Sequence, residues 1–397
     1  MTAVIMAGGK GTRVSSVHAE IPKPMIPIAG KPVLEYQIEC LRRQGIENII
    51  LIIGHLGHVI RDYFGDTVQY IEETEPLGTA GALWYLKDIL KEDFLLLNGD
   101  VVFDIDIERF YQAHKSLGAV VTLFTHPNDH PYDSGIVVSD ENDCVTNWLM
   151  KEDAREWYKN RVNAGLHMMS PRLFEKFNGP NPRKLDLDRD ILKPMISEKS
   201  LFVYDSPEYV KDMGTPKRIA ETEADILAGI VSKKNLHNKQ TALFIDRDGT
   251  LNKYVGFLRN IDDFMLIDET VDIIKQANKE GTLVIVITNQ PVIARGDISW
   301  AELDAIHNKM ETLLGAQGAY VDDIFICPHH PDKGFEGECL EYKIECNCRK
   351  PKPGLIVQAA QKYNVDLALS TMLGDTKADM EAGKSAGCGK MVLIGRP

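Results

Sequence analysis

Short apolar runs, each followed by a segment of helical period, recur along the whole chain, and the pattern restarts once. The first series is TAVIMA (2–7), NIILIIG (48–54), FLLLNGD (94–100), AVVTLFT (119–125) and RVNAGLHMM (161–169). Between the first two, PVLEYQIECLRRQG (32–45) spaces Leu34, Ile38 and Leu41 as one helix face, with Gly45 placed to end it. The polar, basic stretch that opens VSKKNLHNKQT (231–241) carries no apolar period. After it come the strand-like runs TALFI (241–245), LVIVIT (283–288), DIFI (323–326), TMLGD (371–375) and MVLIG (391–395), with helices expected near 268–280, 300–314, 354–363 and 377–386. Strands alternating with helices give an α/β fold whose mainly parallel sheet is covered on both faces. Two such domains follow, 1–230 and 241–397, joined by a linker at 231–240.

Charge narrows the possible partners. Forty-five basic residues stand against 58 acidic ones, a net charge of −13, which excludes nucleic-acid binding through clustered positive charge. The longest apolar candidate, 48–60, is interrupted by Gly54, His55, Gly57 and His58, so no membrane span is expected. With no export signal at the N-terminus, a cytoplasmic setting is expected, and the seven cysteines are read as reduced. Self-association stays open.

The first domain carries phosphate-handling features at its strand ends. AGGKGTR (7–13) places Gly8, Gly9 and Gly11 where backbone N–H groups meet phosphate oxygens. It is not a Walker loop, because the order is Lys-Gly-Thr. IPKPM (21–25) holds Lys23 between two prolines, EPLGTAGAL (75–83) is a second glycine-rich turn opening a helix, and LNGD (97–100) ends a strand with Asp100. In this order the blocks resemble the sugar-1-phosphate nucleotidyltransferases, with a Rossmann-like, GT-A-like fold. The resemblance implies attack of a sugar 1-phosphate on the α-phosphorus of a nucleoside triphosphate, with release of pyrophosphate. It implies Arg13 and Lys23 as the neutralising charges, and Asp100 and Asp212 as Mg²⁺ ligands. Nucleotide contacts would come from Gly8, Gly9, Gly11, Thr12, Gly78 and Asp100, and sugar contacts from Lys151, Asn163 and Gly165. Asp212 also reads as a helix N-cap before GTPKRIAE. Lys151 stands in Met150-Lys151-Glu152 where the family usually has Glu-Lys-Pro. The segment between Arg13 and Pro22 resembles the D-glycero-D-manno-heptose 1-phosphate guanylyltransferase branch, which makes GTP the favoured triphosphate.

The second domain opens with FIDRDGTLN (244–252), where Asp246 and Asp248 lie two apart at a strand end and Gly249 permits a sharp turn. One carboxylate can attack phosphorus while the other moves a proton. An EF-hand loop is excluded by a glycine at position 4 instead of 6. VIVITNQ (284–290) ends in Thr288 and Asn289, CRKPKPG (348–354) supplies Arg349, Lys350 and Lys352, and LGDTKADM (373–380) supplies Asp375 and Asp379. This series resembles the haloacid-dehalogenase (HAD)-type phosphatases. By that resemblance Asp246 is the nucleophile and Asp248 the acid/base. Thr288 and Lys350 hold the phosphoryl oxygens, and Asp246, Asp248 and Asp375 gather around Mg²⁺. Asn289, Arg295 and Arg349 contact substrate, and Asp379 orients its neighbours.

Four cysteines fall within residues 327–348, and CPHHP (327–331) and CNC (346–348) offer Cys327, His329, Cys346 and Cys348 as a tetrahedral zinc set. Cys339 competes as a ligand and His330 can exchange with His329. The loop resembles that of heptose 1,7-bisphosphate 7-phosphatases and related histidinol-phosphate phosphatases, where it replaces a large cap. TNQ is followed here by Pro291-Val292 instead of Ser-Gly. Together the two resemblances imply a bifunctional route to GDP-heptose. The alternative is another sugar 1-phosphate, such as mannose 1-phosphate, paired with another phosphatase substrate.

Overall fold

The computed structural model describes residues 1–9, 21–177, 179–334 and 336–395. Arg13, Gly11 and Thr12, named above as site residues, lie outside them. The chain forms two compact units: Met1–His126, Val137–Trp148 and Asn163–Asn235 make one, and Pro127–Ile136, Leu149–Val162 and Leu236–Pro397 make the other.

In the first unit the strand Thr2–Met6 lies between Asn48–Ile53 and Phe94–Asn98, parallel to both, and Gln69–Glu72 extends the sheet. The expected parallel pattern ends at Val162–Met169, which runs antiparallel to Phe94–Asn98. Successive residues of the central strands go to opposite faces. Ala3, Ile5, Leu51, Leu95 and Leu97 enter one core cluster, and Val4, Ile50, Ile52 and Leu96 enter another. Burial on both faces is why these strands read as unbroken apolar runs. The helix expected at 32–45 spans Val33–Arg43, and Gly45 has a positive φ of 78° beyond its end. The turn at 75–83 opens a 3₁₀ helix, Gly81–Leu86, not an α-helix.

In the second unit five strands form a wholly parallel sheet in the order Asp323–Cys327, Leu283–Asn289, Ala242–Ile245, Thr371–Gly374, Lys390–Leu393. Leu243, Ile245, Val284 and Val286 fill one core, and Phe244, Leu283, Ile285 and Ile287 the other. The helices are Asp268–Lys279, Trp300–Ala316, Gly354–Lys362 and Lys377–Ala386. Trp300–Ala316 begins with a capping box of Ser299 and Glu302.

Two features were not expected from the sequence. The stretch 231–240 is not an open tether. Ile230–Lys233 is helical, Lys234, Asn235, Leu236 and Gln240 are buried, and Gln240 donates its backbone N–H to the Asn364 carbonyl at 3.0 Å. Asn364 also donates to the Leu236 and Asn238 carbonyls at 3.1 and 3.0 Å, long-range contacts that an apolar-period reading does not register. The second unit also takes in 127–136 and 149–162. There Arg161 donates to Glu311 at 2.9 Å and to the Asp322 carbonyl at 3.0 Å, and Thr312 accepts from the Tyr158 N–H at 2.9 Å. A buried ion pair with its remaining donors satisfied avoids the penalty of a lone buried charge.

His167 lies fully inside the strand Val162–Met169, and neither ring nitrogen has a hydrogen-bond partner among the described residues. Burial holds its pKa at about 3. The unfolded chain binds a proton there from about pH 6.5 downward while the native chain does not, so stability falls as pH drops through that window. Between pH 6.5 and 5.5 the wild type should lose about 1 kcal/mol more than His167→Leu in denaturant titrations. Equal losses in both proteins would contradict this assignment.

Candidate functional site

The parallel strands of the first unit bring their C-terminal ends to one edge. Gly8 follows Met6, Gly54 follows Ile53, Glu73 follows Glu72, and Gly99-Asp100 follow Asn98. The Gly99 N–H donates to the Met6 carbonyl at 3.0 Å, and Lys23 is ion-paired with Asp100. Asp212 closes the strand Tyr209–Asp212, which pairs antiparallel with Val101–Asp104, and the Met213 N–H donates to the Asp100 carbonyl at 2.8 Å. The two expected magnesium ligands therefore sit at neighbouring register positions. Asp212 is not the N-cap of the helix Pro216–Leu227; Thr215 fills that role. Arg218 donates to both Asp212 oxygens, at 3.0 and 2.7 Å. Each of the two carboxylates faces a cation, Lys23 for Asp100 and Arg218 for Asp212.

Glu73 was absent from the sequence reading. Its carboxylate is half-buried against the glycine turn, where a Cβ on Gly8 would come within 2.6 Å of Oε2. Glycine at position 8 leaves room for that carboxylate. Burial raises the Glu73 pKa, and its Oε1 accepts from the Leu77 N–H at 3.4 Å. The signal was an acidic residue at a strand end five before Gly78. Gly78 packs on Leu185, whose carbonyl accepts from the Ala80 N–H at 3.0 Å. Asn163 accepts from the Gly165 N–H at 3.2 Å. Gly9 is exposed, and so is Lys151, which pairs with Glu152 at 3.8 Å in the segment assigned to the second unit.

The second unit gathers its site at the ends of three adjacent strands. Lys350 is buried with its ammonium 2.6 Å from Asp246, 2.6 Å from Asp379 and 2.8 Å from the Ile287 carbonyl. Burial pushes the Asp246 carboxyl up to about 7, opposed by Lys350 and aided by Asp379. Burial alone would lower Lys350, but the two carboxylates outweigh it and hold the ammonium above its usual range. Asp246, Asp375 and Asp379 offer oxygens within 4.8 Å of one another, a set that fits Mg²⁺. Gly249 has φ +90°, and a Cβ there would lie 2.4 Å from Asp375 Oδ2, so position 249 needs glycine twice over.

Asp248 does not join that set. Its carboxylate accepts from Arg247 at 2.8 Å, Gln290 at 2.8 Å and Asn252 at 3.2 Å. Thr288 accepts from the same Gln290 amide at 2.7 Å. Asn289 and Lys350 exchange two hydrogen bonds, of 3.1 and 3.0 Å, which fix the lysine loop to the strand end. Arg349 donates to the His329 carbonyl at 3.2 Å, while Arg295 donates to Asp297 at 3.0 Å and stacks 4.6 Å from the Phe257 ring. Pro291 occupies the first position of the short helix Pro291–Ala294, where no N–H is required, so a proline is accommodated there.

Cys327, His329, Cys346 and Cys348 converge. The three Sγ–Sγ separations are 3.6, 3.3 and 3.2 Å, and His329 Nδ1 lies 3.2 Å from Cys348 Sγ. A zinc tetrahedron with bonds of about 2.3 Å has edges of about 3.8 Å, so the set needs only slight expansion. Cys339 caps the short helix Leu340–Tyr342, and neither it nor His330 belongs to the cluster.

The nucleotidyl transferase family profile matches residues 2–229, and a HAD-hydrolase-like profile matches 347–395. The first match spans more than half of the chain. The chain belongs to the nucleotidyl transferase family. Over its C-terminal part it is 39% identical, across 158 residues, to the D-glycero-beta-D-manno-heptose-1,7-bisphosphate 7-phosphatase of Yersinia pestis. That match covers 39% of this chain and 82% of the phosphatase, which places the second part among the HAD-type phosphatases. The nucleotidyl transferase part is 31% identical over 225 residues to the mannose-1-phosphate guanylyltransferase catalytic subunit beta of Drosophila pseudoobscura pseudoobscura. This covers 54% of the chain and 59% of the Drosophila protein. The crystal structure of HddC from Yersinia pseudotuberculosis is 27% identical, covering 57% of this chain and 99% of that one, with a TM-score of 0.49. Among the described residues of this nucleotidyl transferase, no helix is long and apolar enough to cross a membrane.

If the cysteine cluster holds zinc, elemental analysis will find one zinc per chain. Cys348→Ser will abolish it and lower the melting temperature by about 5 °C or more. Full stability without bound zinc would remove the metal from the account.

Proposed function

We propose that the chain makes GDP-heptose in two steps. The second unit removes the 7-phosphate of D-glycero-D-manno-heptose 1,7-bisphosphate, and the first joins the resulting heptose 1-phosphate to GTP, releasing pyrophosphate. The carrying observation is that one chain holds two carboxylate sets, each with its own lysine: Asp100 and Asp212 with Lys23, and Asp246, Asp375 and Asp379 with Lys350. The product of the second unit is then the substrate of the first.

In the phosphatase step an Asp246 oxygen attacks phosphorus, and the phosphorus–oxygen bond to the sugar breaks. Asp248 gives its proton to the leaving oxygen. It then takes one from the water that opens the aspartyl phosphate, and inorganic phosphate departs. Lys350 and Thr288 hold the phosphoryl oxygens throughout. Mg²⁺, when bound by Asp246 and Asp375, supplies further neutralisation of the transferring group. Arg349, Arg295 and Asn289 line the sugar side. In the transferase step the sugar phosphate oxygen attacks the α-phosphorus. Lys23 and Arg13 offset the growing charge, Asp100 and Asp212 would provide the Mg²⁺ ligands, and Asn163 and Gly165 hold the sugar phosphate.

Glu73 supports guanine. A carboxylate beside the glycine turn repels a triphosphate, so its use there is to accept hydrogen bonds from the base. Guanine alone presents two adjacent donors, N1–H and the 2-amino group, which match a carboxylate bidentately. In adenine, cytosine and uracil each donor is flanked by an acceptor. A Glu73→Gln enzyme can still pair with N1–H and O6 but no longer selects the 2-amino group. Its preference for GTP over ITP should fall about tenfold or more, and an unchanged preference would remove Glu73 from base selection. A second reading, mannose 1-phosphate as the sugar, is favoured by the likeness to a mannose-1-phosphate guanylyltransferase. Rates with both sugar phosphates separate the two.

The two reactions are tested independently. Asp246→Asn should stop phosphate release while leaving pyrophosphate release intact, and Asp100→Asn should do the reverse. Loss of both activities in either variant would overturn the two-site reading.

A further inference from the structure

Arg247 is among the largest fully buried side chains of the molecule, and the reaction described above gives it no part. A guanidinium cannot shed its proton, so its burial demands partners for its donors. Nε and Nη2 both reach Asp248: Nε to Oδ1 at 3.1 Å, and Nη2 to Oδ1 at 2.9 Å and Oδ2 at 2.8 Å. On the other side, Nη1 lies 3.0 Å from Nε2 of His307, a buried residue of the helix Trp300–Ala316. Because Nη1 can only donate, His307 Nε2 accepts and the ring is neutral, with its hydrogen on Nδ1. Burial, aided by the guanidinium charge, holds His307 well below its usual pKa, which keeps the acceptor available.

The consequence is directional. One imidazole, fixed in a packed helix, sets the plane of the guanidinium, and the guanidinium sets the plane of the Asp248 carboxylate. Gln290 adds a third constraint by donating to both Asp248 and Thr288. Adjacent residues of an extended chain point to opposite sides. The turn after Asp246, where the Leu251 and Asn252 N–H groups donate to the Arg247 carbonyl at 2.8 and 3.0 Å, folds Arg247 back onto its neighbour.

We propose that Arg247, backed by His307, is a positioning residue that aims the Asp248 carboxyl at the leaving oxygen of the phosphate ester. This rests on the phosphatase reading above. Neither residue touches the reacting atoms, and both act through Asp248. A misaimed proton donor penalises a leaving group that must be protonated, such as a sugar alkoxide. It penalises far less a nitrophenolate, which departs unaided.

The full-length enzyme is assayed for phosphate release from heptose 1,7-bisphosphate and from p-nitrophenyl phosphate, with circular dichroism and thermal melting of each variant as the folding control. Arg247→Lys should lower kcat on the sugar ester about 100-fold, with KM within about threefold and less than about tenfold loss on the aryl ester. His307→Leu should show the same skew. His307→Gln, which keeps an acceptor near the Nε2 position, should recover most of the sugar-ester rate. Parallel losses on the two esters, no loss, or equal effects of Gln and Leu at position 307 would overturn the proposal. If the wild type leaves the bisphosphate untouched, the substrate reading fails instead. The same comparison is then made with whichever alkyl phosphate it does hydrolyse, and that comparison decides the role of Arg247.

Discussion

The buried ammonium of Lys350 between Asp246 and Asp379 is the interaction on which the second unit depends. Two carboxylates taken out of water so close together repel strongly, and without a cation one of them would be protonated. Lys350 makes their convergence tolerable, and its own loop is fixed to the strand end by the reciprocal hydrogen bonds with Asn289. The site is therefore assembled from three strand ends and one loop, each useless without the others. The same logic operates at lower burial in the first unit, where Lys23 faces Asp100 and Arg218 faces Asp212.

Both units place this chemistry at the carboxyl ends of parallel strands. There the sheet stops, glycines permit close approach, and side chains from neighbouring strands converge. Gly249 beside Asp375 and Gly8 beside Glu73 show the same device used for different ends. In one case it packs a turn against Asp375, one of three converging carboxylates. In the other it leaves room for the Glu73 carboxylate.

Much of this was legible in the sequence because strand-end motifs are local. Asp246 and Asp375 each follow a recognisable apolar run, Lys350 stands in the basic block CRKPKPG, and the cysteine pairs flank one loop. What escaped was what depends on distant pairing. His307 and Glu311 sit on the helix Trp300–Ala316 as ordinary polar residues, and only the fold brings them to Arg247 and Arg161. Asp248 is grouped with the metal ligands by family resemblance alone, and only the fold shows its side chain held by Arg247, Asn252 and Gln290. The segment 149–162 joins the second unit through buried polar contacts of Tyr158 and Arg161, and 127–136 sets Pro131 against Gly315; neither leaves a hydrophobic period to detect.

The most direct test of two successive chemistries in one chain is a phosphorus NMR time course. The enzyme is supplied with heptose 1,7-bisphosphate, GTP and Mg²⁺. The account predicts that inorganic phosphate appears first, that a heptose 1-phosphate signal rises and decays, and that pyrophosphate and a nucleotide-sugar diphosphate signal grow as it falls. Pyrophosphate appearing before any inorganic phosphate, or phosphate release with no later pyrophosphate, would contradict it.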